Sequence, residues 1–324
     1  MSIPEIYGNN ENLQFMQTMR RTQHIPHACL FYGEKGSGRK TLANYFAMTV
    51  LCTGEHAPCG ICKNCQKILH GVHPDLIPVE HSGKKQGFSV DTVREICRDA
   101  IIAPNDSDKK IYLFADCDTI GIPAQNTLLK LTEEPPEHVL LLFTAVSKNA
   151  FLETMLSRMI QIAVRPCTPE ECRTALISQH DCTPETADRA VRATSGRNIG
   201  LALKFSEDTA LQEMTRQVSE LTQAVAQRKQ YEILRILSYY EKDRIQAEEM
   251  LKLLLKQFRD ACALKYGSEI LTGCDRHSAE ALAQLLTAGK ALRLYDAVQN
   301  ACEALQASVS IKLVLGALGG NLLL

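Results

Sequence analysis

The stretch Gly33-Glu-Lys-Gly-Ser-Gly-Arg-Lys-Thr41 constrains this chain more than any other. It follows the apolar run Ala28–Tyr32 directly and precedes a helical pattern over residues 39–51. A strand that passes through a glycine loop into a helix is the context in which backbone N–H groups and a helix N-terminus cradle phosphate. Four more apolar runs read as strands: Leu76–Val79, Ile111–Ala115, Val139–Thr144 and Ile160–Val164. They are rich in Ile, Leu, Val and Phe without alternation, as expected of parallel strands covered on both faces. Helical patterns lie between them. Asp91–Ile102 is amphipathic, and Pro123–Glu133 starts at a proline and stops at Pro135-Pro136. Strand and helix in alternation predict an α/β domain on a parallel sheet.

Beyond Pro166 no strand pattern recurs. Helices are predicted from Thr168-Pro169, from Thr183-Pro184, and after Ser195-Gly196. From about residue 208 the chain is rich in Leu, Ala, Gln and Glu at helical spacing, as in Ile233, Ile236, Leu237 and Tyr240, and reads as an all-helical bundle. The fold class expected is therefore α/β followed by all-α, with domains at 1–166, 167–206 and 207–324.

The glycine loop has the architecture of a P-loop but not its chemistry. A working loop places lysine after the last glycine, then Ser or Thr on Mg²⁺. Here those places hold Arg39 and Lys40. Thr41 is displaced by one residue, which turns its hydroxyl by roughly 100° on a helix. Guanidinium is planar and bulky and does not replace a compact ammonium, and Lys40 cannot ligate a cation. Gly33, Gly36, Gly38, Arg39, Lys40 and Thr41 thus form a degenerate nucleotide site, whose ATP binding is left open. Arg39 and Lys40 have a further reading, an internal salt bridge that fills the pocket. The third strand should end in a metal-orienting Asp followed by a base; by register Ala115 stands in the first place and Asp116 in the second. A slip of one residue would move Asp116 into the metal role.

Cys52, Cys59, Cys62 and Cys65 fall at the spacing Cys-x₆-Cys-x₂-Cys-x₂-Cys. Four thiolates satisfy tetrahedral Zn²⁺ and leave no open position, so the expected cofactor is structural zinc. Redox-active or incidental cysteines are the alternative, and His56 or His70 could replace one ligand. The chain has 13 cysteines, but those such as Cys29, Cys97, Cys117, Cys262 and Cys302 are scattered singly through apolar segments. Buried thiols in a reducing cytosol are the expectation for them. The formal net charge of −1 excludes a strong overall field toward DNA. The N-terminus shows no basic start followed by an apolar run, and the tail Val309–Leu324 is interrupted by Lys312 and three glycines. No membrane association is expected, and the location expected is cytoplasmic.

These pieces, in this order, resemble the clamp-loader subunits of bacterial DNA polymerase III over essentially the whole chain. The stretches that carry the resemblance are Ile25-Pro-His-Ala-Cys-Leu-Phe-Tyr-Gly33, the cysteine cluster after the P-loop helix, and Ala124-Gln-Asn-Thr-Leu-Leu-Lys-Leu-Thr-Glu-Glu-Pro-Pro-Glu-His138. Leu156-Ser157-Arg158 is similar to the family's Ser-Arg-Cys motif, with Met159 in place of the cysteine. The resemblance implies an AAA+ ATPase-like domain with a zinc module, a small helical lid and a C-terminal collar that oligomerises. It also implies that Arg158, beside Ser157, is an arginine finger reaching the ATP site of a neighbouring subunit; the alternative is a capping or surface arginine. In the lid, Ile199 stands where motor subunits place a second sensing arginine, and Arg197 is off register. Loss of its own site with retention of the finger matches the non-catalytic delta-prime branch, and a gamma/tau-type motor is the alternative. The partners implied are gamma/tau and delta subunits, and, through the complex, the sliding clamp and primer-template DNA.

Overall fold

The structure, a computed structural model, describes residues 3–81, 87–268 and 270–323. The chain divides into two compact units, Met1–Pro166 and Cys167–Leu324. The first unit runs α1 (Asn10–Arg21), β1 (Ala28–Tyr32), α2 (Arg39–Leu51), α3 (Lys63–Leu69), β2 (Leu76–Val79), α4 (Val90–Asp99), β3 (Lys110–Phe114), α5 (Ile122–Glu133), β4 (Val139–Ala145), α6 (Glu153–Leu156) and β5 (Ile160–Ala163).

All five strands are parallel, in the order β2-β3-β4-β1-β5. Alternate residues of each strand enter opposite layers. Leu30, Tyr112, Phe114, Leu141 and Phe143 pack with α4 and α5 on one face. Cys29, Phe31, Ile111, Leu113, Leu140 and Leu142 pack with α1, α2 and α3 on the other. Phe114 stacks on Phe143 with ring centroids 4.8 Å apart, and Phe88 and Phe151 meet these rings edge-on at 5.4 and 5.6 Å. Each such buried ring contributes about 1.5–3 kcal/mol. The consequence for function lies at the strand ends. The loops after β1, β3 and β4 emerge along one edge, where an open α/β sheet presents its site.

Several boundaries differ from the sequence expectation, most of them by one residue and the end of α4 by three. Strand β3 starts at Lys110 and ends at Phe114, so Ala115 lies just past it. A lysine can open a buried strand here because its ammonium pairs with Asp99 at 2.8 Å and donates to the Asp99 carbonyl at 3.0 Å. The same Asp99 ends α4, three residues before the expected Ile102, and also accepts from the Tyr112 hydroxyl at 2.6 Å. Helix α1 was not foreseen at all. Only Met16 and Met19 of it are buried, too few to make an apolar stripe.

The second unit has helices and no strand among its described residues: α7 (Pro169–His180), α8 (Pro184–Thr194), α9 (Ile199–Glu207), α10 (Thr209–Ala226), α11 (Gln230–Ser238), α12 (Arg244–Lys265), α13 (Arg276–Leu285), α14 (Ala288–Gln306) and α15 (Ile311–Asn321). Thr168 and Glu171 form a capping box that starts α7, and the Thr183 hydroxyl caps α8 ahead of Pro184. Gly196 is required between α8 and α9. Its φ is +61°, and an added Cβ would lie 2.6 Å from Val191 Cγ1 and 3.0 Å from Pro169 Cα. Helices α10 to α15 enclose one core around Leu251, Leu254, Phe258, Val298 and Leu318. The apolar tail becomes α15, which buries Val314, Leu315 and Leu318; its last residue, Leu324, lies outside the described residues. No helix among the described residues is long and apolar enough to cross a membrane.

Candidate functional site

The glycine loop turns sharply out of β1. The Gly33 N–H donates to the Ala145 carbonyl at 3.2 Å, and a Cβ on Gly33 would lie 2.9 Å from the Val164 carbonyl oxygen, so backbone packs against backbone here. Gly36 and Gly38 both have φ +87°, the left-handed region that favours glycine. Gly38 caps α2, whose first residue is Arg39. The loop architecture expected from the sequence is therefore present, and the side chains decide what it holds.

Arg39 is 6% exposed, and its guanidinium donates to the Asp116 carboxylate at 3.0 Å and approaches Asp118 at 3.8 Å. Asp116 is placed for this by a left-handed backbone, φ 52° and ψ 56°, that ends β3, and by its own N–H, which donates to the Thr144 hydroxyl at 2.8 Å. Asp118 is held as its carboxylate accepts the Val146 N–H at 2.6 Å. The cation in the P-loop lysine position is thus neutralised by carboxylates of the chain itself. Lys40 and Thr41 are both exposed on the first turn of α2. This donor set fits Mg²⁺-nucleotide poorly: it lacks the hydroxyl two residues after the last glycine, where Lys40 stands, and two anions crowd the cation that phosphate would need.

The four cysteines converge. All four Sγ atoms lie within 4.8 Å of one another, and this is the only such group among the described residues; neither His56 nor His70 stands in it. The backbone orients the sulfurs as acceptors. Gly54 and Cys59 N–H groups donate to Cys52 at 3.3 and 3.4 Å, Cys62 N–H to Cys59 at 3.3 Å, and Cys65 N–H to Cys62 at 3.4 Å. Burial pushes the Cys62 thiol up, but the Cys65 and Thr53 backbone N–H groups and the Thr53 hydroxyl outweigh it and hold the thiol down to about 6. The N–H groups of Ile61 and Cys62 lower Cys59 as well. Burial pushes Cys52 and Cys65 up instead, so Cys59 and Cys62 are the sulfurs that the N–H donors favour as thiolate, the form that ligates metal. The residues fit a tetrahedral metal ion such as zinc.

Residues that the sequence did not mark hold this module in place. The Arg20 guanidinium donates to the carbonyls of Cys52 and Gly54 at 2.7 and 3.1 Å. Asn64, buried between two cysteines, donates to the Leu51 carbonyl at 2.7 Å and to the Ser107 hydroxyl at 3.1 Å. The Ser107 loop is in turn wound around Asp75. This fully buried carboxylate accepts the N–H groups of Asn105, Asp106 and Ser107 at 2.6, 2.7 and 2.9 Å, and the Asn105 amide at 3.2 Å. Burial alone would raise the Asp75 carboxyl; the hydrogen bonds outweigh it and leave it below the usual carboxylate range.

Ser157 and Arg158 follow α6 and line a cleft of about 490 Å³ together with Pro26, His27, Thr132, Glu133, Met159 and Ile160. Arg158 donates from Nη1 to the Thr154 carbonyl at 2.6 Å, and its Nη2 pairs with Glu133 at 2.9 Å. Ser157 is exposed, its hydroxyl donating to Thr154 at 3.0 Å. Gln125 of α5 fixes the segment leading here: its amide donates to the Ala150 carbonyl at 2.9 Å and accepts the Leu152 N–H at 2.8 Å. In the second unit, Ile199 opens α9, and Arg197 lies before that helix.

Comparison with known proteins follows the same pieces. Residues 8–168 match the family model described as DNA polymerase III, delta subunit. DNA polymerase III subunit delta' of Bacillus subtilis is 28% identical over 251 residues, 76% of this chain and 74% of that protein. The Pseudomonas aeruginosa delta' subunit is 34% identical over 145 residues, 44% of each chain. The Escherichia coli tau subunit is 34% identical over 171 residues, 52% of this chain and 26% of that protein. The chain thus spans less than half of the Pseudomonas relative and about a quarter of tau.

Proposed function

We propose that this chain, which belongs through residues 8–168 to the DNA polymerase III delta-subunit family, is a non-catalytic subunit of a clamp loader of the delta-prime type. In this role it assembles with gamma/tau-type and delta subunits in the cytoplasm and supports ATP-dependent loading of a sliding clamp onto primer-template DNA. Its three parts would be the ATPase-like domain at 1–166, a lid at 167–206 and a collar at 207–324. The observation that carries the proposal is the Arg39–Asp116 ion pair, 3.0 Å long, inside the loop that would otherwise hold phosphate.

The chemistry follows from the residues present. Arg39 is paired with Asp116, its buried Nη1 being left 3.8 Å from Asp118 with no hydrogen-bond partner, and Lys40 offers no oxygen to Mg²⁺, so the chain turns over no ATP of its own. Cys52, Cys59, Cys62 and Cys65 would hold zinc, which when bound supplies a tetrahedral cross-link between α2 and α3 without an open coordination position. The sulfurs therefore serve folding. Arg158 is the chain's contribution to catalysis. Placed against a neighbouring subunit's ATP, its guanidinium stabilises charge developing on the γ-phosphate, an effect worth roughly 10³–10⁵ in rate.

The test is a clamp loader reconstituted with Arg158→Ala in this subunit alone. ATP turnover attributable to the adjoining site is expected to fall by about 10³-fold or more. Unchanged turnover would remove the finger from the account. If the isolated chain hydrolyses ATP, a gamma/tau-type motor becomes the better description.

A further inference from the structure

Both terminal nitrogens of Arg158 are engaged within the chain. Nη1 donates to the Thr154 carbonyl at 2.6 Å and lies 3.4 Å from the Ser157 hydroxyl, while Nη2 pairs with Glu133 at 2.9 Å. The partners differ in kind. Thr154 is four residues earlier on the chain and travels with Arg158, so its carbonyl only shapes the arginine's own turn. Glu133 is the last residue of α5, held by a different element. It is also the one carboxylate lining the cleft in which Arg158 sits. The pair is half exposed, with the arginine side chain at 35% and the glutamate at 47%. A guanidinium tip offers carboxylate and phosphate the same fork of donors, so a phosphate oxygen and Glu133 compete for the same N–H groups.

We propose that Glu133 is a positioning residue that withdraws the Arg158 guanidinium into the cleft, so that a neighbour's nucleotide must displace the glutamate before the finger engages. The inference rests on the finger role of Arg158 given above. The Thr154 bond keeps Nη1 in place while Nη2 is exchanged from carboxylate to phosphate. Because the pair is exposed to solvent, the hold is weak and salt-sensitive, a threshold for engagement rather than a block. Segments either side support the geometry. The buried Thr132 hydroxyl donates back to the Leu129 carbonyl at 2.9 Å and fixes the end of α5, and Gln125 ties α5 to the backbone entering α6.

The experiment is steady-state ATP hydrolysis by the reconstituted clamp loader across an ATP titration, at low and high salt. It compares Glu133→Gln, Arg158→Ala and the double variant in this subunit. Glu133→Gln removes the charge and keeps the shape. It is expected to lower the KM for ATP at the adjoining site about two- to five-fold at low salt, with kcat unchanged and the difference shrinking at high salt. In the Arg158→Ala background the same substitution is expected to change nothing. A KM equal to that of the parent complex, or a fall in kcat, overturns the latch while a defect in Arg158→Ala still upholds the finger. If Arg158→Ala turns over like the parent, the finger itself is lost and the latch with it. A thermal melt of the purified Glu133→Gln chain, expected to match the parent, separates this from a folding defect.

Discussion

Arg39 at the head of α2 donates to Asp116 beyond the end of β3, 3.0 Å away and 77 residues along the chain. The order β3-β4-β1 makes this possible, because it brings the loops after β1 and β3 to the same edge of the sheet with only β4 between them. A buried cation needs an anion, and one exposed carboxylate supplies it. The ion pair sits where a phosphate would otherwise meet the loop. Reverting both altered positions, with Arg39→Lys and Lys40→Thr together, is expected to free the loop and tighten Mg²⁺-ATP binding by about tenfold or more, read by isothermal titration. Equal affinity in parent and variant would show that Asp116 and Asp118 exclude nucleotide whatever the loop carries.

Metal removal has a defined outcome. The cysteine cluster joins the end of α2 to α3 and, through Asn64, to the Ser107 loop. Chelation, or Cys59→Ser, is expected to release one zinc per chain and to lower the melting temperature by several degrees, since metal affinity is folding free energy. Metal analysis paired with calorimetry checks this. A chain that keeps its melting temperature after losing metal would make the site incidental to folding.

The buried Asp75 gives a pH dependence. Its carboxyl is held below the usual range in the folded chain, so its contribution is complete above the unfolded value near ~3.9 and is lost as pH falls through the lower folded value. Asp75→Asn is expected to cost about 2–3 kcal/mol at neutral pH, because charge-assisted bonds to three backbone N–H groups are weakened. The difference between variant and parent should begin to shrink below about pH 4 and close as pH falls through the lower folded value. Urea unfolding at pH 7 and in steps from pH 4 down to pH 2 measures both, and a difference that stays constant down to pH 2 would contradict the assignment.

Gly196→Ala tests the turn between α8 and α9. The residue combines φ +61° with a Cβ position 2.6 Å from Val191 and 3.0 Å from Pro169. A loss of about 1–3 kcal/mol is expected in denaturant unfolding. Gly289, whose added Cβ would meet nothing within 4 Å, serves as the tolerant control.

Much of the fold was legible because its cause is local. β1, β3 and β4 are buried on both faces and read as unbroken apolar runs, and Pro123, Pro169 and Pro184 mark helix starts directly. The cysteine spacing likewise announces its own convergence. What escaped depends on the tertiary structure. Asp75, Asn64 and Gln125 are polar residues in ordinary-looking segments, and only the fold reveals that each is buried and hydrogen-bonded. Glu133 reads as part of an acidic helix end until Arg158 is placed beside it. Among the singly scattered cysteines, Cys29 and Cys117 are buried as expected, whereas Cys97, Cys262 and Cys302 are only partly covered.

The most direct measurement is ATP hydrolysis by the purified chain alone, with its metal retained and Mg²⁺ present. The expected result is no turnover above background at any ATP concentration, as Arg39 is committed to Asp116 and no hydroxyl replaces Lys40. Robust turnover that disappears with Arg39→Ala would contradict it and make the chain a motor in its own right.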